Sequence, residues 1–124
     1  MSHIMTESQL IEALENKPKS VEFDQLIAVI TKNYDYQPTR FTNGAGKAMV
    51  INDAGTNEGS CKLFSFGLIK QLSDVEMLAC FGKYYREDVL QHPEGTDHAN
   101  IRNFMQTGWD GIKFDQPALV EKNV

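Results

Sequence analysis

The chain of 124 residues is the length of one compact domain, enough to bury roughly two-thirds of the surface its unfolded form exposes. Hydrophobic residues at 41% and charged residues at 23% are ordinary globular values, and no apolar run approaches the roughly 20 residues that a membrane helix requires. With 12 basic against 17 acidic residues the net charge is -5, which repels a phosphate backbone and sets nucleic acid and membrane aside as partners.

Residues 1–4 precede a second methionine and read as an expression leader, so the domain is expected to begin at Met5, without a secretory signal. Thr6 and Gln9 form a capping box for a first helix with an apolar stripe of Leu10, Ile11 and Leu14. Pro18 stops it. Ser20 is placed to cap a second helix, with Asp24 near its positive end, whose face is Phe23, Leu26, Ile27 and Ile30. Tyr34 to Phe41, with Pro38 and Thr39, suits an extended segment at a sheet edge, Asn43-Gly44 is a turn, and Lys47 to Asn52 is short enough for a strand.

Phe41 to Lys62 is dense in glycine and asparagine, residues that supply backbone conformations with positive φ. The stretch reads as a shaped loop feeding a helix that opens near Ser60 and runs through Leu63, Phe64, Leu68 and Leu72, with Gly67 marking close approach of a neighbour. Ser73 and Glu76 make a second capping box, followed by Met77, Leu78, Phe81, Tyr84, Tyr85 and Val89 at helical spacing to Leu90, with Gly82 as a point of tight packing. His92-Pro93-Glu94-Gly95 breaks that helix. Asp97 is the expected cap of a last one carrying Ile101, Phe104 and Met105, and Gly108 is its C-cap. Trp109, Ile112 and Phe114 fit a short strand pairing near Arg40 to Thr42, and residues 116–124 read as a loose polar tail.

Four constellations can carry chemistry. Backbone amides where the loop Asp53 to Gly59 meets a helix start, with Asn57, Ser60 and Lys62 at hand, favour an anion, against the commoner case of the same residues as turn and cap. No Gly-Lys-Ser/Thr occurs, so the loop is not a nucleotide P-loop. Cys61 near a helix N-terminus, with His98 as partner, is the candidate nucleophile, against the commoner case of a small buried cysteine. His98 and Arg102, spaced i and i+4 beside Asp97, can receive a carboxylate or phosphate, or Arg102 can anchor the loop by a salt bridge. His92, Asp97 and His98 lack a second well-spaced ligand pair, so no metal or other cofactor is expected. Tyr85 and Trp109 are aromatics whose polar atoms need partners, which loop asparagines can provide.

The succession FTNG, NDAGTNEGSCKLFSF, CFGKYYREDVL and HPEGTDHANIRNFMQTGWDGIKF resembles the HopJ family of small bacterial proteins, catalogued as type III effectors, from about Leu10 to Phe114. Its pattern falls on Asn43, Gly44, Asn52, Ala54, Gly55, Asn57, Gly59, Ser60, Phe81, Tyr85, His98, Asn100, Ile101, Arg102, Phe104, Gly108 and Trp109. The resemblance implies a bacterial protein named for delivery into a host cell and carries no catalytic activity with it. A capped helix starts almost at Met5, where an export segment is expected to be Ser-rich and disordered, so a cytoplasmic role in the bacterium is as well supported as secretion.

The expected fold is mainly α, an α+β domain over 5–115 with about five helices and a minimal two-stranded element near Arg40 to Asn43 and Ile112 to Phe114. Its expected core is Leu14, Phe23, Leu26, Ile30, Leu63, Phe64, Leu68, Leu78, Phe81, Ile101, Phe104 and Met105. Two classes of function stay open. A binding module would present Asn43, Asn52, Asn57, Gly59, Ser60, Lys62, Asp97, His98, Arg102 and Trp109 to a small anion or a protein partner. An enzyme would need Cys61 or His98 in a recessed pocket with a perturbed pKa. The oligomeric state is left open.

Overall fold

Thr6 caps the first helix as its sequence predicts: its hydroxyl accepts from the Gln9 amide at 3.1 Å, and the Gln9 side chain accepts from the Thr6 amide at 2.9 Å. The helix, α1, is Glu7–Asn16, and it buries Leu10 and Leu14. This computed structural model describes residues 5–122; the expected leader, residues 1–4, and the last two residues of the expected tail lie outside the described residues.

Pro18–Ser20 form one 3-10 turn, and α2 (Phe23–Asn33) follows. Ser20 is not its cap. The Ser20 hydroxyl donates instead to the Lys17 carbonyl at 2.7 Å within the turn, and the α2 start moves to Glu22, whose amide donates to Gln25 Oε1 at 2.8 Å. Two residues of extended chain after the proline turn therefore shift the cap along the sequence.

Three short strands make one antiparallel sheet: β2 (Phe41–Asn43) in the middle, β3 (Val50–Asn52) on one side and β4 (Ile112–Phe114) on the other. Phe41 lies opposite Asn52 in β3 and Phe114 in β4. The expected pairing of β2 with β4 is present, enlarged by the Val50–Asn52 strand. A second pair joins β1 (Tyr34–Tyr36) to β5 (Leu119–Glu121), with Tyr36 opposite Leu119. The region read as a loose tail is thus partly built in, because Ala118 and Leu119 are buried and the Gln37 amide donates to the Ala118 carbonyl at 2.8 Å.

Helix α3 (Glu58–Lys70) runs through the centre. Phe64 is fully buried, with ring centroids of Phe81 at 5.4 Å, Phe104 at 5.3 Å, Phe41 at 5.9 Å and Trp109 at 6.2 Å around it. Such tilted and edge-on contacts suit the ring quadrupole and add to area burial. Gly67 allows this packing, since a Cβ there would meet the Trp109 ring at 2.7 Å. The helix ends as Gln71 turns to φ 54, with Leu72 N donating to the Gly67 carbonyl at 3.0 Å, the wide loop of a Schellman ending. That reversal turns Leu72 inward and leaves Leu68, expected in the core, 47% exposed.

The long helix expected from Ser73 to Leu90 is interrupted. Its capping box is present, with Glu76 N donating to the Ser73 hydroxyl at 3.1 Å, but α4 is Asp74–Ala79 only. Gly82 then takes φ 58, and the chain resumes as a π-helical segment, Tyr84–Val89. A Cβ at Gly82 would lie 2.8 Å from the Phe23 backbone nitrogen, so the apolar spacing continues while the axis breaks against the start of α2. The last helix, α5 (Ala99–Thr107), buries Ile101 and Phe104 and ends at Gly108. Met105, also expected in the core, falls just outside that stripe and is exposed.

Candidate functional site

The starts of α3 and α5 face one cavity of about 360 Å³, lined by Asn57, Gly59 and Ser60 from the first and His98, Ala99, Asn100 and Ile101 from the second. Phe23, Val50, Phe81 and Tyr84 complete the wall. The first-turn amides of any helix have no carbonyl within the helix to donate to, and their dipoles leave partial positive charge there. Elsewhere a side chain answers them: Gln9, Gln25 and Glu76 each reach back to the cap amide of their helix. Neither α3 nor α5 has a side-chain cap. Their cap residues, Asn57 at φ 48 and His98 at φ 52, are left-handed instead, a conformation in which asparagine and histidine are enriched among non-glycine residues.

A buried carboxamide network holds the two helix starts in register. Asn52 Oδ1 accepts from Asn57 Nδ2 at 2.7 Å and from Asn100 Nδ2 at 2.8 Å, while Asn100 Oδ1 accepts from Asn52 Nδ2 at 3.1 Å and from Asn43 Nδ2 at 3.0 Å. Asn43 Nδ2 also donates to the Asn100 carbonyl at 2.8 Å, and Asn103 Nδ2 to the carbonyls of Asn43 and Ala48. Asn43 and Asn52 are fully buried, so the expected ligand contacts are not theirs to make; they tie the sheet to both helix starts. Their strand positions explain why, since both side chains point off the sheet toward α5.

His98 borders the cavity with Nε2 3.0 Å from Asp88 Oδ2 and its ring 5.3 Å from that of Tyr84. Asp97 is not the α5 cap. Its carboxylate pairs with Arg102 at 2.7 Å, and Arg102 also donates from Nε to the Asp97 carbonyl at 2.6 Å and from Nη1 to the His92 carbonyl at 2.9 Å. The hydrogen bond and charge of Arg102 hold the Asp97 carboxyl below the usual range. Arg102 is therefore the clamp of the 92–102 loop and borders a different depression, with Leu90 and Pro93.

The remaining expected residues point elsewhere. Lys62 lies over the Tyr36 ring at 4.8 Å, and Trp109 Nε1 donates to the Leu72 carbonyl at 2.7 Å rather than to a loop asparagine. Cys61 is buried one turn inside α3, its thiol 3.6 Å from the Thr39 carbonyl. The lowered thiol pKa expected at a helix start is reversed: burial pushes the Cys61 thiol up, outweighing the Thr39 contact that lowers it. Desolvation disfavours the thiolate more than the Thr39 and Tyr36 contacts and the Lys62 charge favour it. Among the described residues no group of three or more His, Cys, Asp and Glu side chains is placed to hold a metal ion. The aromatic wall of Phe23 and Tyr84, whose rings meet edge-on at 5.2 Å, was not singled out for the site in the sequence. Its only trace is Gly59, where a Cβ would lie 2.8 Å from Phe23 Cζ.

The fold and cavity define a small α+β protein, mainly helical, whose asparagine-rich polar motifs largely brace the recess at the helix starts from inside. The chain belongs to the HopJ type III effector protein family, whose model matches residues 7–119. It is also similar, with 51% identity and a TM-score of 0.91 over 98% of each chain, to the crystal structure of the unknown function protein VPA0580. No curated protein matches the chain.

Proposed function

We propose that the protein is a non-covalent binding module whose site is the recess between the starts of α3 and α5, and that its ligand is a small anion bearing a short apolar part. The observation that carries this reading is the pair of helix starts without side-chain caps, Asn57–Ser60 and His98–Ile101, on one cavity wall, where every other α-helix start has a side chain reaching back to it. Free amides and like-oriented dipoles favour a carboxylate or phosphate group, and Phe23, Val50 and Tyr84 favour an apolar remainder. The buried, thiol-protonating setting of Cys61 supports binding over covalent chemistry. The site is proposed to operate in the bacterial cytoplasm, with delivery into a host cell as the alternative that the family name carries.

The test is an amide NMR titration with acetate, butyrate and inorganic phosphate, repeated on Ala99→Glu, which places a competing carboxylate at an exposed position of the recess. Saturable shifts at Gly59, Ser60, Ala99 and Asn100, larger for butyrate than for acetate and lost in the variant, are expected. Silence of those amides at millimolar anion would overturn the reading and move it to a protein partner.

A further inference from the structure

A second recess of about 560 Å³ lies on the opposite flank of α3, between Ser65, Leu68 and Ile69 and the chain from Phe114 to Leu119 that links β4 to β5. Leu68 and Ile69, in the last turn of the longest helix, are 47% and 46% exposed although both are large and apolar. Ser65, spaced i, i+3 and i+4 with them, shares their face. Its hydroxyl oxygen is buried and has no hydrogen-bond partner among the described residues. A buried hydroxyl without a partner costs free energy that a bound acceptor or donor recovers.

We propose that this recess is a binding site for a small, uncharged, mainly apolar molecule with one hydrogen-bonding end, an alcohol or a carbonyl, which pairs with the Ser65 hydroxyl. Size argues for a small molecule. A volume in the range of ligand pockets is present, whereas the exposed apolar surface is two helix residues and a short loop, far below the roughly 800 Å² per partner of a stable protein interface. Charge argues for a neutral one. Among the described residues, the ionisable side chain on the wall is Asp115, which repels a carboxylate and is itself 3.5 Å from Arg40. Leu68, Ile69, Pro117 and Leu119 supply the apolar contacts, and Ser65, one turn before Leu68 on the same helix, takes the ligand's polar end. The site is independent of the recess at the helix starts, which uses the opposite end of α3.

The probes are 1-hexanol and hexanoate, equal in chain length and different in charge, titrated into the uniformly 15N-labelled protein, with Ser65→Ala and Leu68→Glu as variants. Saturable hexanol shifts confined to Ser65, Leu68, Ile69 and Ala118 are expected, with weaker or no response to hexanoate. Loss of one hydrogen bond in Ser65→Ala should weaken hexanol binding about 3- to 10-fold. Leu68→Glu, at an exposed position, should abolish it while leaving the far-UV spectrum unchanged. Shifts scattered over the surface, equal affinity in Ser65→Ala, tighter binding of hexanoate, or no shift at millimolar hexanol would each overturn the proposal.

Discussion

Asp97 lies where residue type alone points to a cap, and Arg102 where it fits an anion receptor or a loop anchor; the two pair, so Arg102 is the anchor and Asp97 is no cap. Both uses draw on the same chemistry, a carboxylate accepting from N–H groups, so only the backbone decides between them: His98 in the left-handed region turns the Asp97 side chain away from the α5 amides. The asparagines show the same ambiguity. Asn43, Asn52 and Asn100 could be recognised as important in the sequence, but a carboxamide satisfies another carboxamide as well as a ligand, and three of them meet in the interior. The Asp97 pairing carries a pH signature. Its folded carboxyl titrates below the unfolded one, so its contribution is complete above about pH 4 and is lost as pH falls through the folded value. Thermal melts of the wild type and Asp97→Asn should therefore differ at pH 7, with the variant less stable, and converge as the pH is lowered below about 4. A gap that stays constant down to acid pH would show that the carboxylate charge is not what holds the loop.

Element starts marked by a Ser/Thr capping box were legible; the Glu22–Gln25 start of α2 and elements broken by backbone geometry were not. Thr6-Gln9 and Ser73-Glu76 form as read, whereas the helix from Ser73 splits because a glycine inside an apolar period looks the same whether the axis is straight or turned. Gly82 and Gly46 separate two causes of glycine preference. Both have φ near 60, but a Cβ at Gly46 meets nothing within 4 Å, while one at Gly82 meets the Phe23 nitrogen at 2.8 Å and the Glu22 Cα at 3.1 Å. Gly46→Ala should cost only the left-handed penalty of about 1–2 kcal/mol. Gly82→Ala carries that penalty and a clash with backbone that cannot swing aside, so its loss in urea unfolding should exceed the Gly46→Ala loss by about 1 kcal/mol or more. Equal losses would mean that the α4 to π-segment junction can move away from α2.

The whole molecule closes through contacts that no local pattern encodes. Central β2 pairs with residues about ten positions on and about seventy positions on, and the first strand pairs with the last, Tyr34 opposite Glu121. The β2–β4 pairing was readable because both segments carry aromatic and β-branched residues beside turn glycines. The β1–β5 pairing was hidden, since Pro117-Ala118-Leu119-Val120 is too short an apolar run, this close to Lys122 and Asn123, to show a strand period. Its importance lies in burial: Ala118 and Leu119 cover α3, and the β1–β5 ladder ties the C-terminal strand to the segment that follows α2. Removing residues 116–124 therefore takes away a strand pair and the full burial of a leucine, worth about 1.5–3 kcal/mol for the side chain alone. The truncated protein should melt several degrees lower, and amide exchange should rise in Tyr34–Tyr36, which lose their partner strand, more than in β2, whose partners remain. Exchange that rises equally in both sheets would mean instead that the two ladders open as one unit, so that the recess at the helix starts depends on the C-terminal strand although it makes no contact there.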